Sequence, residues 1–89
     1  MRAFVDESDR EWVATALEED TPRHHGRWYL AFHPAGDAER VLAMDEVRWK
    51  TRETAERTIR SMSEAELRRR LRTVRARVPS FDAGERKAG

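Results

Sequence analysis

The chain contains no cysteine in its 89 residues, which excludes disulfides, thiolate metal ligands and cysteine catalysis. No apolar run approaches the roughly 20 residues that a membrane-spanning helix needs. The segment 1–6 turns acidic too soon to serve as a secretory signal. These absences predict a cytoplasmic protein. A chain of this length has room for one domain, which buries only about 60–65% of the surface that its unfolded state exposes.

The motifs of several enzyme classes are also missing. There is no glycine-rich phosphate loop, no G-x-S-x-G and no HExxH spacing. The acidic residues at 18–20 fall in a predicted loop, where nothing indicates a pocket that would perturb their pKa values. His24 and His25 point to opposite sides of an extended segment and with Asp20 make a poor metal site, while His33 is expected at the surface. We therefore expect no enzymatic activity, cofactor, metal or small-molecule substrate.

Net charge is small, at +1, but the charges are segregated along the chain. Residues 1–20 carry seven acidic side chains and two arginines, whereas residues 48–77 carry eleven basic and four acidic ones. This asymmetry indicates either an anionic partner for the basic half or two halves that neutralise each other within the fold or across a dimer. The sixteen arginines against two lysines are what GC-rich codon usage gives, so only arginine position is informative.

Alternating apolar residues predict a strand over 27–33, because Trp28, Leu30 and Phe32 recur with the period of two that a half-buried strand shows. Near the N-terminus, turn-forming residues separate Phe4 from a second apolar segment that contains Trp12. A hairpin there places the two rings opposite each other and contributes up to about 1 kcal/mol beyond an alanine pair.

The segments between these strands are less informative. Residues 18–25 read as a polar connection, 34–37 as a turn and 40–44 as a short returning strand. The segment 45–53 has no clear assignment.

Two helices are expected in the C-terminal half. The first begins at Thr51 or Thr54 and continues to about Arg60. Ser63 and Glu66 have the spacing of a capping box, which begins a second helix over 64–78. Its apolar stripe consists of Leu67, Leu71, Val74 and Val78.

Neither layer is stable alone, since a bare meander leaves one apolar face in water and an isolated helix of this length is marginal. Both apolar surfaces are buried if the stripe of the second helix packs on the apolar face of the strands. The sequence therefore predicts an α+β fold, a small antiparallel meander of three to four strands packed against one or two C-terminal helices. We expect a single domain over 1–78 and a flexible tail over 79–89.

The second helix carries an arginine ridge beside the predicted buried stripe, formed by Arg68, Arg72 and Arg75 with Arg69 nearby. A solvated helix face is the default interpretation of such charges, and their stems also cover apolar surface. The functional interpretation is that these guanidinium groups point outward, unpaired, and bind an anionic partner. Trp12 and Trp49 are possible interface anchors, whereas Trp28 fits a core position.

Several binding functions follow from these features. The leading hypothesis is a non-enzymatic protein-interaction or regulatory module that acts through segregated acidic and basic surfaces, with self-association through the acidic hairpin and the basic helix as one form. The alternative is a nucleic-acid-binding accessory protein that uses the arginine ridge, although interleaved glutamates count against it. Membrane association ranks last, since the apolar stripe is narrow and aliphatic.

Overall fold

The structure, a computed structural model, describes residues 1–19 and 27–81. In chain order the elements are β1 Arg2–Val5, β2 Glu11–Glu19, β3 Arg27–Pro34, β4 Leu42–Trp49, α1 Arg52–Ser61 and α2 Glu64–Arg77. The strands form one antiparallel sheet in the order β1-β2-β3-β4. Both helices contribute to the same core on one face of this sheet, so the predicted α+β fold is confirmed. No helix in the described residues is long and apolar enough to cross a bilayer.

The β1–β2 hairpin forms as predicted, with Phe4 paired across from Trp12. Its turn contains Asp9 in the left-handed conformation at φ 63°, which aspartate tolerates better than most residues. The neighbouring strand β3 contributes Phe32 to the core, and its ring meets that of Phe4 edge to face at 5.9 Å between centroids. This ring contact therefore joins β1 to β3 across β2 on the helix side of the sheet.

A bulge explains why the segment 45–53 could not be assigned from sequence. The register moves from Leu30 opposite Met44 to Tyr29 opposite Arg48, so three residues of β4 have no partner on β3. A bulge changes which face the following residues occupy. As a result Trp49 packs partly against the core, and β4 continues five residues beyond the expected end at Met44.

The helix starts follow the capping residues. The Ser63 hydroxyl accepts a hydrogen bond from the backbone N–H of Glu66 at 3.1 Å, as predicted, and Thr51 caps α1 in the same way. The reciprocal bond of the capping box, from the backbone N–H of Ser63 to the Glu66 carboxylate, is not formed. That carboxylate is held instead by Arg70, at 3.0 and 3.2 Å, because a guanidinium one turn along the helix is a charged donor.

The apolar stripe of α2 is buried at Leu67, Leu71 and Val74, but Val78 lies past the end of the helix and is 37% exposed. The two helices share the sheet, with α1 against β2, β3 and β4 and α2 against the edge strands β1 and β4. The stripe of α2 packs on the strand face as predicted, and α1 is the second of the one or two helices expected there. A sheet this wide needs two helices side by side to exclude water.

The hydrophobic core extends past residue 78, which the sequence predicts as the end of the domain. Pro79 begins a further helical turn, and Phe81 packs at 9% exposure against Trp12 with 5.8 Å between ring centroids. Arg40 lies over the Phe81 ring and donates to its carbonyl oxygen at 2.6 Å. Residues 82–89 lie outside the described residues, so the flexible tail stays a prediction.

Replacement of Leu71 by alanine tests whether the apolar stripe of α2 is buried in the core. Loss of this buried side chain leaves a cavity and is expected to lower the free energy of unfolding by about 2–5 kcal/mol. Val78→Ala is the matched control, with a change of about 0.5 kcal/mol or less since that side chain is partly exposed. The free energies of unfolding are measured by urea denaturation. Equal decreases for the two variants would contradict the burial of Leu71 in the core.

Candidate functional site

A cleft of about 420 Å³ lies between the β1–β2 turn and α2. It is lined by Asp6, Glu7, Ser8, Arg68, Leu71, Arg72, Arg75, Ala76 and Pro79. Three guanidinium groups and two carboxylates therefore surround a floor that includes the apolar side chain of Leu71. This is the place where the structure brings together the acidic and the basic segments of the chain.

Asp6 organises the turn side of the cleft. Its Oδ1 accepts hydrogen bonds from the backbone N–H groups of Ser8, at 2.7 Å, and Arg10, at 3.0 Å. Its Oδ2 accepts from the Trp12 indole Nε1 at 2.8 Å and from an Arg75 Nη1 at 3.4 Å. One carboxylate therefore closes the hairpin turn, satisfies a buried indole and joins the turn to α2.

The environment of Asp6 favours its charged form. Burial raises the pKa of this carboxyl group, but hydrogen bonds from Trp12, Arg10 and Ser8, together with the charge of Arg75, outweigh burial and hold the pKa below its ordinary value of 3.8. Asp6 is thus an ionised anchor at neutral pH.

Trp12 is fully buried, so the prediction that it anchors an interface is wrong. The guanidinium groups of Arg10 and Arg75 lie over its ring, at 4.9 and 5.2 Å from the centroid, and Phe81 packs against it. On its own strand Trp12 has only the small neighbours Ala14 and Ala16 on the same face. Its companions come instead from α2 and from residues after the helix, which strand periodicity does not reveal.

Two other arginines of the cleft also contact the chain itself. Arg68 donates from Nε to the carbonyl oxygen of Val5 at 2.7 Å and pairs with Glu64 at 3.3 Å. Arg72 pairs with Glu7 at 2.5 Å, with side chains that are 66% and 63% exposed. Exposed pairs of this kind contribute at most about 1 kcal/mol, so the Glu7–Arg72 contact is readily exchanged.

The expectation that the ridge arginines are unpaired is therefore wrong for Arg68, Arg72 and Arg75, because acidic residues of the hairpin and of α2 lie within reach. Arg69 differs. Its side chain is exposed and makes no hydrogen bond or ion pair within residues 1–19 and 27–81. Binding of an anionic partner by these four residues stays a prediction.

The remaining tryptophans lie far from the cleft in the fold. Trp28 and Trp49 face each other across β3 and β4, and both are half-buried. Arg52 lies over the Trp28 ring at 5.7 Å. Trp28 is therefore less buried than the core position expected for it and does not belong to the core cluster. Trp49 keeps the partial exposure expected of an anchor, and its role as one is a prediction.

Metal chemistry has no support in the described residues, where no three His, Asp or Glu side chains lie close enough to share an ion. His24, His25 and Asp20 lie outside them.

Two further ion pairs lie away from the cleft, one between α2 and the sheet and one between two strands. Arg77 pairs with Glu46 at 2.6 Å and lowers the pKa of that carboxyl group, and Arg48 holds Glu19 across the strands.

Comparison with known proteins adds no assignment, since no family model, curated protein or solved structure matches the chain.

Asp6→Asn tests the charge of the anchor. A carboxyl group whose pKa is lowered by folding stabilises the protein above its unfolded-state pKa, and this contribution is lost as the pH falls through the native-state value. The difference in free energy of unfolding between wild type and Asp6→Asn should therefore be constant from neutral pH down to about pH 5 and shrink below 3.8.

Urea unfolding of both proteins at pH values between about 2 and 7 measures this difference, in which the titration of all other groups cancels. Glu7→Gln is the control, with an effect within about 1 kcal/mol at neutral pH because that carboxylate is exposed. If the difference in free energy of unfolding between wild type and Asp6→Asn grew as the pH fell, the lowered pKa assigned to Asp6 would be contradicted.

Proposed function

We propose that the protein is a non-enzymatic protein-interaction module and that the cleft with the adjoining surface of α2 binds a carboxylate-rich protein segment. The observation that carries this proposal is a pair of exposed guanidinium groups, that of Arg72 in the lining of the cleft and that of Arg69 on the adjoining surface of α2. Arginine presents planar, bidentate donors to carboxylates.

The arginines divide into supporting and binding residues. Arg75 lies against Trp12 and the largely buried Asp6, whose side chain is 10% exposed, so it supports the turn. Arg68 holds the end of β1. Arg69 and Arg72 are exposed, and within residues 1–19 and 27–81 the only acidic partner of either is the readily displaced Glu7. The binding contacts are therefore assigned to Arg69 and Arg72.

A protein partner suits this surface better than a nucleic acid. Glu7 and Glu64 lie among the arginines and would repel the continuous line of phosphates of a nucleic acid, whereas a peptide can place uncharged residues beside them. Single strands stack on exposed aromatic rings, but Trp12, the ring nearest the cleft, is fully buried. Nucleic-acid binding through the same arginines is the alternative function and is an outcome of the test below.

The test measures fluorescence anisotropy of a labelled glutamate-rich peptide that also contains leucine, at about 50 mM salt. Wild type is expected to bind, and the double variant Arg69→Glu, Arg72→Glu to bind at least about tenfold more weakly, since each reversal replaces attraction by repulsion. The matched control reverses Arg57 and Arg60, two exposed cations of α1, and should retain wild-type affinity.

Absence of peptide binding, or an equal loss in the α1 control, would overturn the proposal. Labelled duplex DNA serves as the competing probe. Tighter binding of DNA than of peptide, with log affinity falling by about 0.9 per contacted phosphate for each unit of log salt concentration, would favour the alternative function.

A further inference from the structure

The β1–β2 turn places two neighbouring acidic side chains at the cleft, and they differ in how firmly they are held. The carboxylate of Asp6 accepts hydrogen bonds from its own turn, from Trp12 and from Arg75, and its side chain is 10% exposed. In residues 1–19 and 27–81 the carboxylate of Glu7 contacts only Arg72, at 2.5 Å, and its side chain is 63% exposed. Asp6 is a fixed anchor, whereas Glu7 is an exchangeable one.

The backbone of Glu7 is held beside the cleft by the turn. Asp6 accepts hydrogen bonds from the N–H groups of Ser8 and Arg10, and its own N–H donates to the carbonyl oxygen of Arg10 at 2.9 Å. The Glu7 carboxylate can therefore leave Arg72 by rotation of its own side chain, without opening of the turn. Rotation of an exposed side chain is fast, so the two groups separate and meet again many times before a ligand arrives.

We propose that Glu7 is a built-in competitor for the ligand of the cleft, an inference that rests on the binding function proposed above. In the free protein its carboxylate lies on Arg72, one of the two guanidinium groups assigned to binding. A carboxylate of the ligand must take the place of Glu7 there. Arg69, in contrast, makes no ion pair within the described residues 1–19 and 27–81 and is reached without displacement. The turn thus lowers the affinity of the site for acidic segments.

The strength of the Glu7–Arg72 contact sets the size of this effect. For an exposed ion pair of this kind the closed arrangement outweighs the open one by a factor of about 1.5 to 5. Arg72 is then open for about 40% to 17% of the time, and the apparent affinity of a ligand falls by that fraction. Neutralisation of Glu7 should therefore tighten binding about 2.5- to 6-fold.

Loss of any negative charge from this surface also favours an acidic ligand, and Glu64 provides the matched control for that effect. It lies on the same side of α2, eight residues before Arg72, and pairs with Arg68. Eight residues of helix span about 12 Å, which exceeds the Debye length of about 8 Å at 0.15 M salt. Neutralisation of Glu64 should therefore change the affinity by less than about 1.5-fold.

The first measurement is fluorescence anisotropy of the labelled glutamate-rich peptide at about 0.15 M salt. Glu7→Gln should bind it about 2.5- to 6-fold more tightly than wild type, and Glu64→Gln should bind it as wild type does. The second measurement is the NMR resonance of the Glu7 side-chain carboxyl carbon, assigned with Glu7→Gln. Arg72→Gln gives the resonance of the released carboxylate, and wild type saturated with peptide should move toward that value.

Three results would overturn the competition and leave the binding function in place: equal affinity of wild type and Glu7→Gln, an equal gain in Glu64→Gln, or a Glu7 resonance that bound peptide leaves unmoved. Peptide that binds neither wild type nor Glu7→Gln overturns the binding function and the competition together. Peptide that binds Glu7→Gln but not wild type supports both. Far-UV circular dichroism of each variant establishes that it is folded, as the exposed positions lead us to expect.

Discussion

One carboxylate, that of Asp6, holds the hairpin and α2 together. It satisfies two backbone N–H groups of its own turn, the indole of Trp12 and a guanidinium group of Arg75. Trp12 can be buried completely because its one polar atom has this partner. The largest side chain of the core and the path of the first turn therefore depend on the same group, and Arg75 connects that group to α2.

This arrangement also decides which charges are available for binding. The acidic turn neutralises part of the basic helix within the chain, so the charge segregation seen in the sequence needs no partner to explain it. What is left at the cleft is the exposed side of α2 around Arg69 and Arg72.

Local patterns were sufficient for the fold. The alternation around Leu30 and Phe32 and the Ser63 cap predicted strands and helices to within a few residues, because periodicity and caps are encoded by neighbours in the chain. The bulge in β4 was missed since three unpaired residues break the period of two. The cleft was missed as well. Asp6 and Arg75 meet only after the helix docks, and the acid-rich turn beside an arginine-rich helix was a signal that this contact could be intramolecular.

Hydrogen exchange of the three indole N–H groups, followed by NMR with Trp→Phe variants for assignment, tests the central role of Asp6 most directly. The account predicts that the Trp12 indole exchanges only through opening of the whole domain, with protection close to the global free energy of unfolding, while the half-buried Trp28 and Trp49 exchange faster. A Trp12 indole that exchanges as fast as the other two would contradict the account.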